Sequence, residues 1–153
     1  MMNLNPSNTG EHSGVSLLVV GDNQAFLHVM EVLLKKHGEF ESIQISNGME
    51  AIQQAHLLNP EMILVDLDMS EANGLEVLRQ LKRCAPRSGL IGLTLLENYA
   101  YRQMVLAAGG DDFLSKARLS TDLLPSIRRI LPAKGIEILF GPELERPATN
   151  TSQ

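Results

Sequence analysis

This sequence has one cysteine, no long apolar run, no excess of basic residues and no internal repeat. Each absence excludes something. A lone thiol, Cys84, cannot close an intramolecular disulfide or anchor a multi-cysteine zinc site, and it reads as an ordinary thiol on or near a helix. No stretch approaches the roughly 18 apolar residues of a membrane-spanning helix. A net charge of −5 over 153 residues argues against direct nucleic-acid binding, which wants a basic face. The histidines His12, His28, His37 and His56 are scattered without metal-ligand spacing. Residues 1–14 are polar, with neither a basic n-region nor an apolar h-region, so they are no secretory signal. They are expected to form a disordered arm on a cytoplasmic protein.

What remains is an ordinary globular composition, 44% hydrophobic and 20% charged, in a length that suits one domain with a real core. Apolar runs alternate with helical patterns five times. Val15 to Val20 is a run of strand length ending at Gly21-Asp22. Residues 24–37 carry Phe26, Met30, Leu33 and Leu34 at spacings of three and four, which predicts an amphipathic helix stopped by Gly38. Glu41 to Ser46 reads as a second strand, Gly48 to Leu58 as a helix broken by Asn59-Pro60, and Met62 to Val65 as the third strand. Gly74 to Cys84 is helical, Leu90 to Leu93 a fourth strand ending at Thr94, and Tyr99 to Ala108 a helix closed by Gly109-Gly110. Phe113 to Ser115 is a short fifth strand leading to Lys116. Asp122 to Leu131 is the last helix. Asp122 as N-cap puts Pro125 in the first turn, where its missing N–H has no helical partner to lose.

Apolar strands separated by helices mean a parallel sheet covered on both faces. The expectation is an α/β domain over 15–131: a doubly wound, flavodoxin-like, five-stranded parallel sheet in the order 2-1-3-4-5. Residues 132–153 form a tail. Ile136, Ile138, Leu139 and Phe140 could dock on the domain, and Pro147 to Gln153 is expected to be disordered. The segment from Ile138 to Leu144 weakly resembles the linker preceding a helix-turn-helix output domain in one branch of regulators. No such domain fits after residue 131, so this is a stand-alone domain or one piece of a longer chain.

In a parallel sheet every carboxyl end points the same way, toward the edge where open α/β folds bind ligands. Asp22 follows strand one, Asp66 ends strand three, Thr94 ends strand four and Lys116 follows strand five. Two carboxylates and a nearby carbonyl make a hard oxygen site suited to Mg²⁺. A hydroxyl and an ammonium beside it would hold phosphoryl oxygens. The set points to phosphoryl transfer onto a carboxylate, with Asp66 as nucleophile.

These residues, with Asn73-Gly74-Leu75-Glu76-Val77-Leu78 and the run from Ala107 to Leu114, closely resemble the receiver domains of two-component response regulators. The resemblance implies that Asp66 accepts a phosphoryl group from a histidine kinase or phosphotransfer protein. It implies that Asp22, Asp66 and the carbonyl of Asp68 ligate Mg²⁺, and that Thr94 and Lys116 hold the phosphoryl group. It also implies that Phe113 changes rotamer with Thr94, remodelling the surface of helix 4, strand 5 and helix 5, the face of a possible homodimer. On this reading the chain is a signalling module and not an enzyme.

Four positions depart from the family pattern. Gly21 stands where an acidic residue is usual, which should weaken Mg²⁺ binding; the Asp68 side chain is the candidate to compensate. Leu95 replaces a small residue and is expected to narrow access to the phosphoryl site. Ala117 replaces a proline and favours a trans bond. Ser70 replaces a frequent proline. A degenerate receiver, acting by protein contacts alone, is therefore the alternative. A remoter one is a haloacid-dehalogenase-like phosphatase, suggested by Asp66-Leu67-Asp68; against it, the motif lies on the third strand instead of the first. Arg128-Arg129 suits a solvated helix end or cross-dimer ion pairs.

Overall fold

The computed structural model describes residues 14–136. The expected arm, Gly14 apart, and the tail beyond Ile136, including the apolar segment around Phe140, lie outside the described residues.

Five strands, β1 (Val15–Val20), β2 (Phe40–Ile45), β3 (Met62–Asp66), β4 (Gly89–Thr94) and β5 (Asp112–Ser115), pair in parallel in the order β2-β1-β3-β4-β5. Five helices alternate with them: α1 (Gln24–Lys35), α2 (Gly48–Leu58), α3 (Gly74–Cys84), α4 (Tyr99–Ala107) and α5 (Leu119–Ala133). The expected fold class and strand order hold.

The strands build two cores because successive side chains leave opposite faces of the sheet. Leu18, Val20, Ile63 and Val65 pack with Ala51, Ala55, Leu78 and Leu81, the inward faces of α2 and α3. Leu17, Val19, Met62 and Leu64 pack with Leu27, Met30, Ile127 and Ile130, from α1 and α5. Every residue of β3 is buried, as a central strand covered on both faces must be.

The turns that leave the carboxyl edge share one device. Asn23, Asn47, Asn73 and Asn98 each accept, through the side chain, the N–H of the residue three further on. These are N-caps. They fix where α1 to α4 begin, and so fix the loops that carry Asp22, Asp68 and Leu95. At Gly74 there is no room for a side chain: a Cβ would lie 2.6 Å from Leu67 Cα and 3.0 Å from the Asp66 carbonyl. The first turn of α3 therefore rests directly on the main chain just after Asp66.

The last helix differs from expectation. It starts at Leu119, not after Asp122, and runs to Ala133, with Pro125 and Pro132 inside. A proline in a helix interior costs about 3 kcal/mol. Starting early adds Leu119, buried against the core, worth roughly 1.5–3 kcal/mol, a gain comparable to the cost of the broken hydrogen bond. The turn Lys116–Arg118 is a single 3₁₀ turn leading into this helix, capped by Ser115 Oγ accepting from Ala117 N–H at 3.1 Å. No cis peptide bond occurs among the described residues.

Candidate functional site

Asp66 ends β3 and is 1% exposed. A carboxylate this buried needs partners. Its Oδ1 accepts the main-chain N–H of Asp68 at 2.8 Å and lies 2.7 Å from Lys116 Nζ. Its Oδ2 takes part in neither contact. The Lys116 ammonium, on a side chain 14% exposed, also lies 3.3 Å from Asp68 Oδ2 and 4.5 Å from the centre of the Phe26 ring. Lys116 is thus held by two carboxylates and an aromatic face.

Thr94, fully buried at the end of β4, donates its hydroxyl to Asp68 Oδ1 at 2.7 Å and accepts the Leu96 N–H at 3.0 Å. The Leu95 N–H donates to Asp68 Oδ2 at 2.8 Å. Burial would raise the Asp68 pKa; hydrogen bonds from Thr94 and Leu95 and the charge of Lys116 outweigh it and hold the carboxyl below its ordinary value. Both oxygens of the Asp68 side chain are thus engaged, by Thr94, Leu95 and Lys116. Leu95 itself is 69% exposed. Its bulk faces solvent, and what it gives the site is its N–H.

Asp22 leans toward the loop after β3. Its carboxylate accepts the Glu71 N–H at 2.8 Å, and the N–H and hydroxyl of Ser70 at 3.4 Å. Proline at position 70 could offer neither donor. Above Gly21 the space is taken: a Cβ there would meet Asp66 Cβ at 3.1 Å and the Phe26 ring at 3.2 Å. A side chain at position 21 would press on the ring of Phe26 from α1.

Among the described residues there is no group of three or more His, Cys, Asp or Glu side chains poised to hold a metal ion. Mg²⁺ asks for less, since it keeps several waters and takes one or two carboxylates. Asp22, Asp66 and the Asp68 carbonyl are donors of the right chemistry for it.

Phe113, on β5, is buried and packs edge-on against Tyr101 with ring centres 5.6 Å apart. Its carbonyl accepts from Arg102 at 3.1 Å. The residue before it, Asp112, is a group to which sequence patterning attached no role. Buried at 6% exposure, it accepts from Ser126 at 2.6 Å and Arg129 at 2.5 Å, and lies 3.5 Å from Arg102. Arg129 is therefore tied to β5 and is not simply a solvated helix end. Only a contact between β5 and α5, distant in sequence, reveals this.

The family model described as response regulator receiver domain matches residues 17–128. The chain belongs to that family. As a receiver, it is 32% identical over 113 residues to a protein-glutamate methylesterase/protein-glutamine glutaminase of Alkalilimnicola ehrlichii, covering 71% of this chain and 29% of that one. It is 29% identical over 133 residues to the response regulator protein VraR of Staphylococcus aureus, covering 85% of this chain and 61% of that one. The chain thus spans less than two thirds of either relative. Among solved structures it is similar to the receiver domain of the sensor histidine kinase PA1611 of Pseudomonas aeruginosa, with TM-score 0.69 and 25% identity over 78% of this chain and 98% of that one. That structure has a magnesium ion coordinated in its active-site cleft. Membership places the receiver in two-component signalling and away from the phosphatase suggested by Asp66-Leu67-Asp68, a motif that here ends the third strand. No helix among the described residues is long and apolar enough to cross a membrane.

Proposed function

We propose that this receiver accepts a phosphoryl group on Asp66 from a phosphohistidine of a histidine kinase or phosphotransfer protein, in the cytoplasm. The observation that carries the reading is a buried carboxylate, Asp66, paired with Lys116 just after β5, beside a hydroxyl and N–H donor pair, Thr94 and Leu95 at the end of β4, that the neighbouring Asp68 carboxylate engages. Asp66 Oδ2, the oxygen not bound to Lys116 or the Asp68 N–H, attacks phosphorus. The P–N bond breaks, its electron pair returns to the imidazole, and an acyl phosphate forms on Asp66. Lys116, Thr94 and the Leu95 N–H then receive the terminal oxygens. Asp22, Asp66 and the Asp68 carbonyl would hold Mg²⁺. When bound, that ion supplies positive charge that neutralises the oxygens gathered here.

The donor's approach is supported by an open, mainly apolar cleft of about 380 Å³ beside Lys116, lined by Val29, Val32, Leu33 and Ala117 among others. A protein bearing the phosphohistidine fits this face. The output is a change in the surface of α4, β5 and α5. Leu95, Leu96, Tyr99 and Met104 are exposed on and before α4, and they suit a partner or a second copy of the chain.

The test is incubation with acetyl phosphate and Mg²⁺, read by intact mass. The expected result is a gain of one phosphoryl group that is lost in Asp66→Asn. No adduct in excess Mg²⁺ overturns the reading and leaves a module that works by protein contacts alone.

A further inference from the structure

The phosphoryl group that Asp66 would carry bears a charge of about −1.5 to −2 and three strong acceptor oxygens. The donors set out to meet it are a hydroxyl, a main-chain N–H and an ammonium. In this structure all three already hold an anion. Asp68 Oδ1 takes the Thr94 hydroxyl at 2.7 Å, while Oδ2 takes the Leu95 N–H at 2.8 Å and Lys116 at 3.3 Å. The side chain is positioned for this by its own main chain, whose N–H is bound to Asp66 Oδ1.

We propose that Asp68 is an internal stand-in for the phosphoryl group: its carboxylate occupies the donor cradle of Thr94, Leu95 and Lys116 until phosphorylation displaces it. This deepens the phospho-acceptor reading of Asp66 and rests on it. Two consequences follow from the geometry. Thr94 is clamped before any phosphoryl group arrives, between Asp68 on one side and the Leu96 N–H on the other, with Phe113 already buried against Tyr101. The incoming group must also compete with a carboxylate of its own sign for the same donors, so the receiver takes up phosphate slowly. Asp68 is a positioning residue here; the reacting atoms remain those of Asp66.

The alternative use of Asp68, as a carboxylate ligand replacing the one missing at Gly21, is disfavoured by the same contacts. To ligate an ion, its two oxygens would have to leave the Thr94 hydroxyl and the Leu95 N–H that hold them. The side chain is 27% exposed, so it can swing out to solvent when displaced.

The experiment compares the parent chain with Asp68→Ala and Asp68→Asn, the latter preserving side-chain shape. The first readout needs no phosphate: three-bond couplings to the Thr94 methyl carbon report its χ1. A single rotamer is expected in the parent and rotamer averaging in Asp68→Ala. Identical couplings in the two overturn the proposal. The second readout is the rate of adduct formation on Asp66 from acetyl phosphate and Mg²⁺, in which the bond from phosphorus to the acetyl oxygen breaks and acetate leaves with the electron pair. Asp68→Ala should react about tenfold faster or more, the equivalent of one net hydrogen bond to a charged group, with Asp68→Asn between it and the parent. Equal or slower reaction in both variants, with the parent itself phosphorylated, sinks the stand-in and leaves Asp66 as acceptor. No adduct on any of the three proteins sinks the acceptor reading instead, and the Thr94 couplings then decide the clamp by themselves.

Discussion

The ammonium of Lys116 lies 4.5 Å from the centre of the Phe26 ring, and the same ring stands 3.2 Å from where a Cβ of residue 21 would be. Phe26 thus lies against both the cation of the site and the backbone of Gly21. A side chain added at position 21 would crowd this ring. Gly21→Asp alone should therefore destabilise the fold by about 1–3 kcal/mol through overpacking, as measured by urea denaturation. Gly21→Asp with Phe26→Ala should recover part of that loss and bind Mg²⁺ more tightly than the parent, because a negative charge is added beside the ion. Mg²⁺ titration followed by amide NMR checks this. Unchanged affinity in the double variant would count against an ion held near Asp22 and Asp66.

Gly74 carries no catalytic group, yet a methyl there would lie 2.6 Å from Leu67 Cα and 3.0 Å from the Asp66 carbonyl. Main chain cannot yield as a flexible side chain can. Gly74→Ala should cost about 1–3 kcal/mol, despite alanine's better helix propensity, and it should shift the amide resonances of Asp66 to Asp68. A neutral or stabilising result in chemical denaturation would show that α3 can lift off β3 freely.

The cleft beside Lys116 separates two kinds of phosphoryl donor. Val29 and Val32 are exposed on α1, away from the hydrogen-bonded site. Val29→Glu should slow transfer from a phosphohistidine protein about tenfold or more, the effect of losing one apolar anchor worth 1.5–3 kcal/mol. It should leave the acetyl phosphate rate unchanged. Equal slowing with both donors would place the defect in the site and not in docking.

Tyr101 reports the charge of the site at high pH. Burial raises its phenol pKa above the ordinary value, with further contributions from Asp68 and Asp66. A raised pKa in the folded state means that the stability it contributes is complete below the unfolded tyrosine value, near 10, and is lost as pH rises through the folded value. In a Tyr99→Phe background, ultraviolet absorbance follows Tyr101 alone. Adding Asp68→Asn should move its titration downward, toward the ordinary value. A titration that does not move would mean that the Asp68 charge does not reach the ring.

Much of the fold was legible because hydrophobic period and chain breakers are local. The alternation of Leu17, Leu18, Val19 and Val20 between two faces, the stop at Asn59-Pro60, and the glycine pair closing α4 all follow from a few neighbouring residues. The start of α5 was not legible. Pro125 argues locally for a late start, yet the helix begins at Leu119, which packs into a core assembled from distant strands. Of the site, the residue types at four strand ends could be read. Their pairing could not. Asp68 bonding to Thr94 and Leu95, Asp22 turning to Ser70 and Glu71, and Asp112 gathering Ser126 and Arg129 all join residues far apart in sequence.

The sequence by itself determined a parallel α/β sheet and the convergence of Asp22, Asp66, Thr94 and Lys116 on one edge, because strand polarity sends every carboxyl end the same way. Only the tertiary structure decided how that edge is used at rest. Hydrogen bonds have a reach of about 3 Å, and which groups come within it depends on packing across the whole sheet. That packing seats Phe26 over Gly21 and places the carboxylate of Asp68 among the donors of Thr94, Leu95 and Lys116.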